Sequence, residues 1–184
     1  MKYYKKLFIP EEATIRNKSL QFIKARPRIY HHQDPGSWYN FDFKQFIEAC
    51  PEVLHAFDSY GLRCKFAAVI VMLKQEHLHL HVDYGSLHTL ARINIPLCGC
   101  EGSRTNFYVG GNPVLYVNPV TGIKSYKMEN SHECRLIDYV EMDQTAVIRT
   151  SVVHDVTLPG NFVPPRIMLT LSFDKDPVFL LDQH

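Results

Sequence analysis

After Gly61 the chain runs in short stretches where apolar and polar side chains alternate or apolar residues cluster, punctuated by glycine, proline and asparagine. Side chains at every second position share a face of an extended strand, so this texture predicts an all-β sandwich or barrel. The best strand candidates are Lys65–Leu73, His77–Val82, Ala91–Leu97, Thr105–Val109, Val114–Val117, Ile123–Met128, Arg135–Glu141, Ala146–Val153 and Arg166–Phe173. Asn112-Pro113, Asn118-Pro119 and Thr121-Gly122 mark tight turns between them, and about seven to nine strands are expected. The front of the chain is different. Its first forty residues hold Pro10, Pro27, Pro35 and paired aromatics such as Trp38-Tyr39, without sustained periodicity, and predict short strands and loops. Asn40 or Asp42 can cap a helix carrying Phe43, Phe46, Ile47, Leu54 and Phe57, which Pro51 must break or restart. The expectation is one domain over 1–184, with a helical front over 1–62 and a jelly-roll core over 63–175.

Composition narrows the function. At 184 residues, 46% hydrophobic and 21% charged, the chain can bury a sizeable core and is not disordered. Twenty Lys and Arg against nineteen Asp and Glu leave a net charge of +1, too little field to attract nucleic acid or anionic lipid. The basic residues near the front, Lys2, Lys5, Lys6, Arg16, Lys18, Lys24, Arg26 and Arg28, are diluted by Glu11 and Glu12 and read as a solvated face. Five cysteines form an odd set with neither disulfide-scaffold nor zinc-knuckle spacing, and Cys98-Gly99-Cys100 reads as a turn. The longest apolar run, Phe66 to Leu73, is far short of the roughly 20 residues of a spanning helix. A cytoplasmic location is expected, with no membrane or nucleic-acid partner.

The chemistry concentrates in His77-Leu78-His79-Leu80-His81-Val82-Asp83, whose polar side chains share one face of an extended strand. His81-x-Asp83 offers a nitrogen and an oxygen ligand. A third ligand is expected from His154, which follows the apolar run Val147 to Val153, because closing a barrel brings distant strand ends together. Two histidines and one carboxylate occupy one face of an octahedral ion and suit Fe(II) that must also bind a co-substrate and O2. The rival ligand set replaces Asp83 by His79, through His79-x-His81.

Arginine sharpens the picture. In Arg166-Ile-Met-Leu-Thr-Leu-Ser-Phe173, Ile167, Leu169, Leu171 and Phe173 make one face, and Arg166, Met168, Thr170 and Ser172 the other. A guanidinium on a core strand requires an anion, either a bound carboxylate or a protein partner such as Asp155. Arg92 and Asn94 likewise oppose Ile93, Ile95 and Leu97.

The order His81-x-Asp83, Arg92-Ile-Asn94-Ile-Pro96-Leu97, Thr105-Asn-Phe107-Tyr108, His154 and Arg166 resembles small stand-alone Fe(II)- and 2-oxoglutarate-dependent oxygenases of phage and bacteria. It is distantly similar to the aspartyl/asparaginyl hydroxylase branch. The resemblance covers roughly residues 64 to 174. It implies a double-stranded β-helix, a cupin-like jelly roll, with iron held by His81, Asp83 and His154 and the distal carboxylate of 2-oxoglutarate held by Arg166. Relatives carry a serine two residues after that arginine where this chain has Met168, so Thr170 is expected to supply the supporting hydroxyl. Arg92 falls where the hydroxylase branch places a second arginine, and Tyr108 either points its hydroxyl at the co-substrate or satisfies it locally. The implied activity is hydroxylation of a C–H bond in a peptide side chain or small metabolite. Two other classes remain: a non-catalytic jelly-roll binding module, and a cupin metalloenzyme that dispenses with 2-oxoglutarate.

Overall fold

A computed structural model describes residues 1–30, 38–74, 79–83, 89–117 and 124–182. The strands are β1 (Tyr4–Lys6), β2 (Trp38–Asn40), β3 (Cys64–Met72), β4 (His81–Asp83), β5 (Ala91–Cys98), β6 (Arg104–Val109), β7 (Pro113–Val117), β8 (Lys124–Met128), β9 (Arg135–Glu141), β10 (Ala146–Arg149), β11 (Val153–Thr157) and β12 (Arg166–Phe173). Among the described residues they form two six-stranded antiparallel sheets. The first runs β1-β10-β5-β12-β3-β2 and the second β7-β8-β4-β11-β6-β9.

Helices α1 (Glu12–Lys24), α2 (Pro27–Tyr30), α3 (Phe43–Ala49) and α4 (Phe179–Asp182) accompany them. Asp42 caps α3 by accepting from the Gln45 amide at 3.2 Å, and Pro51 opens a separate 3₁₀ turn, as the front of the chain predicts. The expectation of only strands and loops before residue 40 is overturned by α1. Its buried residues Ile15, Ser19, Phe22 and Ile23 follow helical spacing with a serine in an apolar slot, and Glu11 at its N-cap makes no side-chain capping bond. The capping signal is absent, and the serine interrupts the apolar stripe.

Alternation divides the core. Ile93, Ile95, Ile167, Leu169 and Leu171 pack with Ile15, Phe22, Phe46 and Phe57 in one cluster between the first sheet and the helices. Fully burying each such side chain contributes about 1.5–3 kcal/mol. The opposite face of the same sheet meets the second sheet through Ala146, Ile148 and Met168 against Phe107, Val140 and Met142. Tyr3 and Tyr4 stack on Phe107, with centroids 5.4 and 6.1 Å away. Arg92, Asn94, Arg166, Thr170 and Ser172 therefore face the second sheet, as the alternation predicts.

Two boundaries differ from expectation. The run expected as one strand from Ala146 to Val153 is two: β10 ends at Arg149, a turn over Thr150 to Val152 crosses between the sheets, and β11 begins at Val153. His154 thus begins a new strand rather than following the old one. The strand expected over His77–Val82 is described as His81–Asp83, and residues 77 and 78 lie outside the described residues. All five cysteines are free thiols; Cys98 ends β5, Gly99 is a bend, and the turn follows over Glu101 and Gly102, closed by the Ser103 amide donating to the Cys100 carbonyl at 3.0 Å. Gly99 adopts φ +60°, where an added Cβ would collide with the Pro165 carbonyl. Three of the basic residues near the front form ion pairs: Lys6 with Asp143 at 2.6 Å, Arg16 with Glu12 at 3.8 Å, and Lys18 with Glu52. Among the described residues no helix is long and apolar enough to cross a membrane.

Candidate metal centre

β4 and β11 are neighbours in the second sheet, and their register sets His154 opposite His81. Asp83, two residues beyond His81, projects from the same face. One donor atom from each of His81, Asp83 and His154 lies within 4.8 Å of the other two. Both imidazoles are oriented the same way. His81 Nδ1 is 2.7 Å from the His79 carbonyl, and His154 Nδ1 is 2.9 Å from the Val152 carbonyl. A carbonyl only accepts, so each Nδ1 carries the proton and each Nε2 of the neutral ring is left with a lone pair. The two Nε2 atoms lie 3.6 and 3.8 Å from Asp83 Oδ1. Pinning the far nitrogen of a ligating histidine to a carbonyl is how proteins fix tautomer and ring plane.

Electrostatics prepare the same atoms. Burial raises the cost of ionising Asp83, but the hydrogen bond from His81 and the positive charge of His154, His81 and Arg92 bring its pKa down to about 2. Burial and the neighbouring His81 charge push His154 down to about 4, against the pull of Asp83. For His81 the burial penalty is outweighed by Asp83, so its pKa is raised. At neutral pH the cluster therefore offers a carboxylate and a neutral His154.

Arg92 braces the carboxylate. Its Nε is 3.6 Å from Asp83 Oδ2, its Nη1 donates to Ser172 Oγ at 2.7 Å, and its guanidinium lies 5.4 Å from the Trp38 ring centroid. Nε itself is buried without a hydrogen-bond acceptor. Arg92 thus touches a ligand of the expected metal directly. Neither Ser172 nor Trp38 stood out in the sequence, although alternation with Arg166 places Ser172 on this face.

Arg166 is 2% exposed, and its partners are neutral: Nε donates to Ser103 Oγ at 3.3 Å and Nη1 approaches Met72 Sδ at 3.6 Å. Burial lowers its pKa. Arg166 does not pair with Asp155: its contacts are Ser103 and Met72, and the Asp155 oxygens accept from Asn106 Nδ2 at 2.7 Å and Tyr108 Oη at 3.1 Å. The hydroxyl bonded to Arg166 is that of Ser103, from the turn before β6. Thr170 is 1% exposed and pairs across the strands with Asn94, and Thr170 Oγ1 and Asn94 Oδ1 are both buried without a partner. These two unsatisfied oxygens lie on β12 and β5 between the level of Arg166 and that of the Arg92–Ser172 contact. Buried polar atoms without partners are rare in folded proteins.

Of the two readings of Tyr108, the geometry matches the hydroxyl satisfied locally. Val153 is its cross-strand partner and Phe107 is that of His154, so Tyr108 projects from the face opposite the metal-binding side chains. Burial and the Asp155 carboxylate push its hydroxyl up to about 12, where it donates locally. His79 supplies a carbonyl to His81, while its side chain is exposed and outside the converging cluster. His77, His88, His31, His32 and His184 lie outside the described residues.

No protein-family model matches the chain, and no curated protein matches it. Among solved structures it is similar to AviO1 from Streptomyces viridochromogenes Tue57, at 11% identity and TM-score 0.52 over 95% of this chain and 90% of that one. It also superposes on a Pseudomonas putida prolyl-4-hydroxylase at 12% identity and TM-score 0.47, over 94% and 92% of the two chains. The first likeness shows a shared overall fold and no more. The second is too loose to carry even that.

Proposed function

We propose that this protein is a non-haem Fe(II)- and 2-oxoglutarate-dependent oxygenase on a double-stranded β-helix, with O2 as oxidant and a C–H bond of a peptide side chain or small metabolite as target. The observation that carries the reading is the pairing of two features across one interior. His81, Asp83 and His154 converge with both Nδ1 atoms held by backbone carbonyls, and among the described residues Arg166 is a buried cation that meets no anion, on the same side of β12 as Thr170 and Ser172.

The donor set fits the ion. Two neutral imidazoles and one carboxylate are the combination that holds Fe(II) while leaving positions open. Bound there, iron would supply the activation of O2, with oxidative decarboxylation of 2-oxoglutarate to succinate and CO2 and transfer of one oxygen atom to substrate. The chain's own part is separable. Arg92 holds Asp83 in place from behind. Arg166 would bind the distal carboxylate of 2-oxoglutarate in a fork that its buried, neutral surroundings strengthen. The unpartnered Thr170 and Asn94 oxygens lie in strand register between Arg166 and the Arg92–Ser172 contact and are polar groups that such a ligand could satisfy.

The test is turnover. Protein loaded with Fe(II) should convert 2-oxoglutarate to succinate with one O2 consumed per turnover, slowly without substrate, and His154→Ala should abolish it. Succinate production that persists in His154→Ala would count against the assignment.

A further inference from the structure

Sheet register extends the metal face outward from His81 and Asp83. β8 pairs with β4 so that Lys127 stands opposite His81 and Ser125 opposite Asp83, and β7 pairs with β8 so that Val114 and Tyr116 continue the two rows. Directly opposed residues of an antiparallel pair share a face. Lys127, Ser125 and Tyr116 therefore project from the same side of the sheet as the two ligands on β4. Lys127 Nζ lies 3.4 Å from the centroid of the Tyr116 ring, which fixes the ammonium over the β7–β8 ribbon. The side chain is half-buried, and among the described residues it meets no carboxylate.

That placement is electrostatically odd. A lysine beside a metal-binding histidine adds positive charge to a site meant for a dication, and Asp83 is already shared between two histidines and Arg92. The arrangement becomes favourable when an anion lies over the ribbon. Arg166, the cation assigned to the co-substrate, comes from the first sheet on β12, whereas Lys127 belongs to the second, beyond β4. The two cations thus approach the centre from different sheets.

We propose that Lys127, held by Tyr116 and flanked by the Ser125 hydroxyl, is the specificity determinant for the substrate to be oxidised, and that this substrate carries an anionic group, a carboxylate, within a lysine's reach of the metal. The inference rests on the oxygenase reading for the identity of the bound molecule as substrate. The register, and an ammonium that meets no carboxylate among the described residues, stand without it.

The test uses compounds that differ only in charge. Isotopically labelled full-length protein, loaded with redox-inert Zn(II) and saturated with 2-oxoglutarate, is titrated with N-acetylvaline, with its neutral methylamide, and with phenyl phosphate, following the amide resonances of Ser125 and Lys127. The expected result is saturable shifts at these two residues with N-acetylvaline, absent with the methylamide. Lys127→Met should weaken the carboxylate at least tenfold, and Lys127→Arg should restore it to within about threefold. Tighter binding of phenyl phosphate than of the carboxylate would support an anion site and overturn the carboxylate assignment. Equal response to acid and methylamide, no response to either anion, or unchanged affinity in Lys127→Met would overturn the proposal. Metal content is measured on the same samples. Failure to take up Zn(II) would count against the metal reading alone, and anion-selective shifts that persist in metal-free protein would still support the lysine site.

Discussion

His154 stands directly opposite His81 on adjacent antiparallel strands, with ring centroids 4.4 Å apart and both Nε2 atoms turned to the same oxygen of Asp83. The three side chains act as one unit, so removing any of them leaves an incomplete donor set. Asp83→Ala and His154→Ala should each weaken Fe(II) or Co(II) binding by roughly a hundredfold or more. His79→Ala should leave it within about twofold, since only the His79 carbonyl is used. Equilibrium dialysis under anaerobic conditions checks both. Metal binding that survives Asp83→Ala and fails in His79→Ala would favour the cupin metalloenzyme that does without 2-oxoglutarate.

Arg92 orients Asp83 without touching the metal. Replacing Arg92 by Met keeps the packing against Trp38 and removes both the 3.6 Å contact and the hydrogen bond to Ser172. Metal affinity should fall by about 10- to 100-fold, the usual effect of losing an outer partner of a ligand. The pKa of Asp83 should rise at the same time, because one of the charges that depress it is gone. Titration of the carboxyl carbon by NMR reports this directly.

Metal binding should depend on pH with unit slope. Both imidazoles must be neutral to ligate. His154, with its pKa near 4, is already neutral at pH 6 to 8, whereas His81 holds a proton above its ordinary range because of Asp83. Below the His81 pKa, the logarithm of the affinity should therefore rise by about one per pH unit, with one proton released per metal bound. Above it, the dependence should flatten. Calorimetry in buffers of different ionisation enthalpy counts the protons, and a count of two would show that His154 is also charged in the free protein.

Much of this site was legible because period-two alternation survives tertiary context. Arg166, Thr170 and Ser172 on one face of β12, and His81 with Asp83 on one face of β4, follow from spacing alone. The turn over Thr150 to Val152 was not legible, because the apolar run on both sides of it reads as a single strand and the break depends on β11 joining the other sheet. Ser103 carried no signal either: it reaches Arg166 from a turn more than sixty residues earlier in the chain. Tyr108 illustrates the limit of a lone aromatic, since its face is set by its pairing with Val153 rather than by its neighbours in sequence.

Tyr108→Phe should accordingly leave metal and 2-oxoglutarate binding unchanged. It removes one donor from Asp155, which keeps its bond from Asn106, so a stability loss of about 1 kcal/mol is expected by chemical denaturation. A loss of co-substrate affinity would place Tyr108 at the site after all.

Arg166 makes the opposite prediction. A buried guanidinium whose partners among the described residues are all neutral costs folding free energy in the ligand-free protein. Arg166→Met should therefore leave ligand-free stability unchanged or raise it by about 1 kcal/mol or more. A large destabilisation would identify Arg166 as structural.

The central claim is that the metal and Arg166 together bind 2-oxoglutarate, and anaerobic titration of the metal-free protein tests it most directly. Fe(II) is added first and 2-oxoglutarate second, while the weak visible charge-transfer absorption of a keto acid chelated to iron is recorded in wild type and in Arg166→Met. The account predicts that both proteins bind iron equally, that the band forms in wild type, and that the variant needs at least tenfold more 2-oxoglutarate to develop it. Iron bound without a band, or a band formed equally well in the variant, would contradict it.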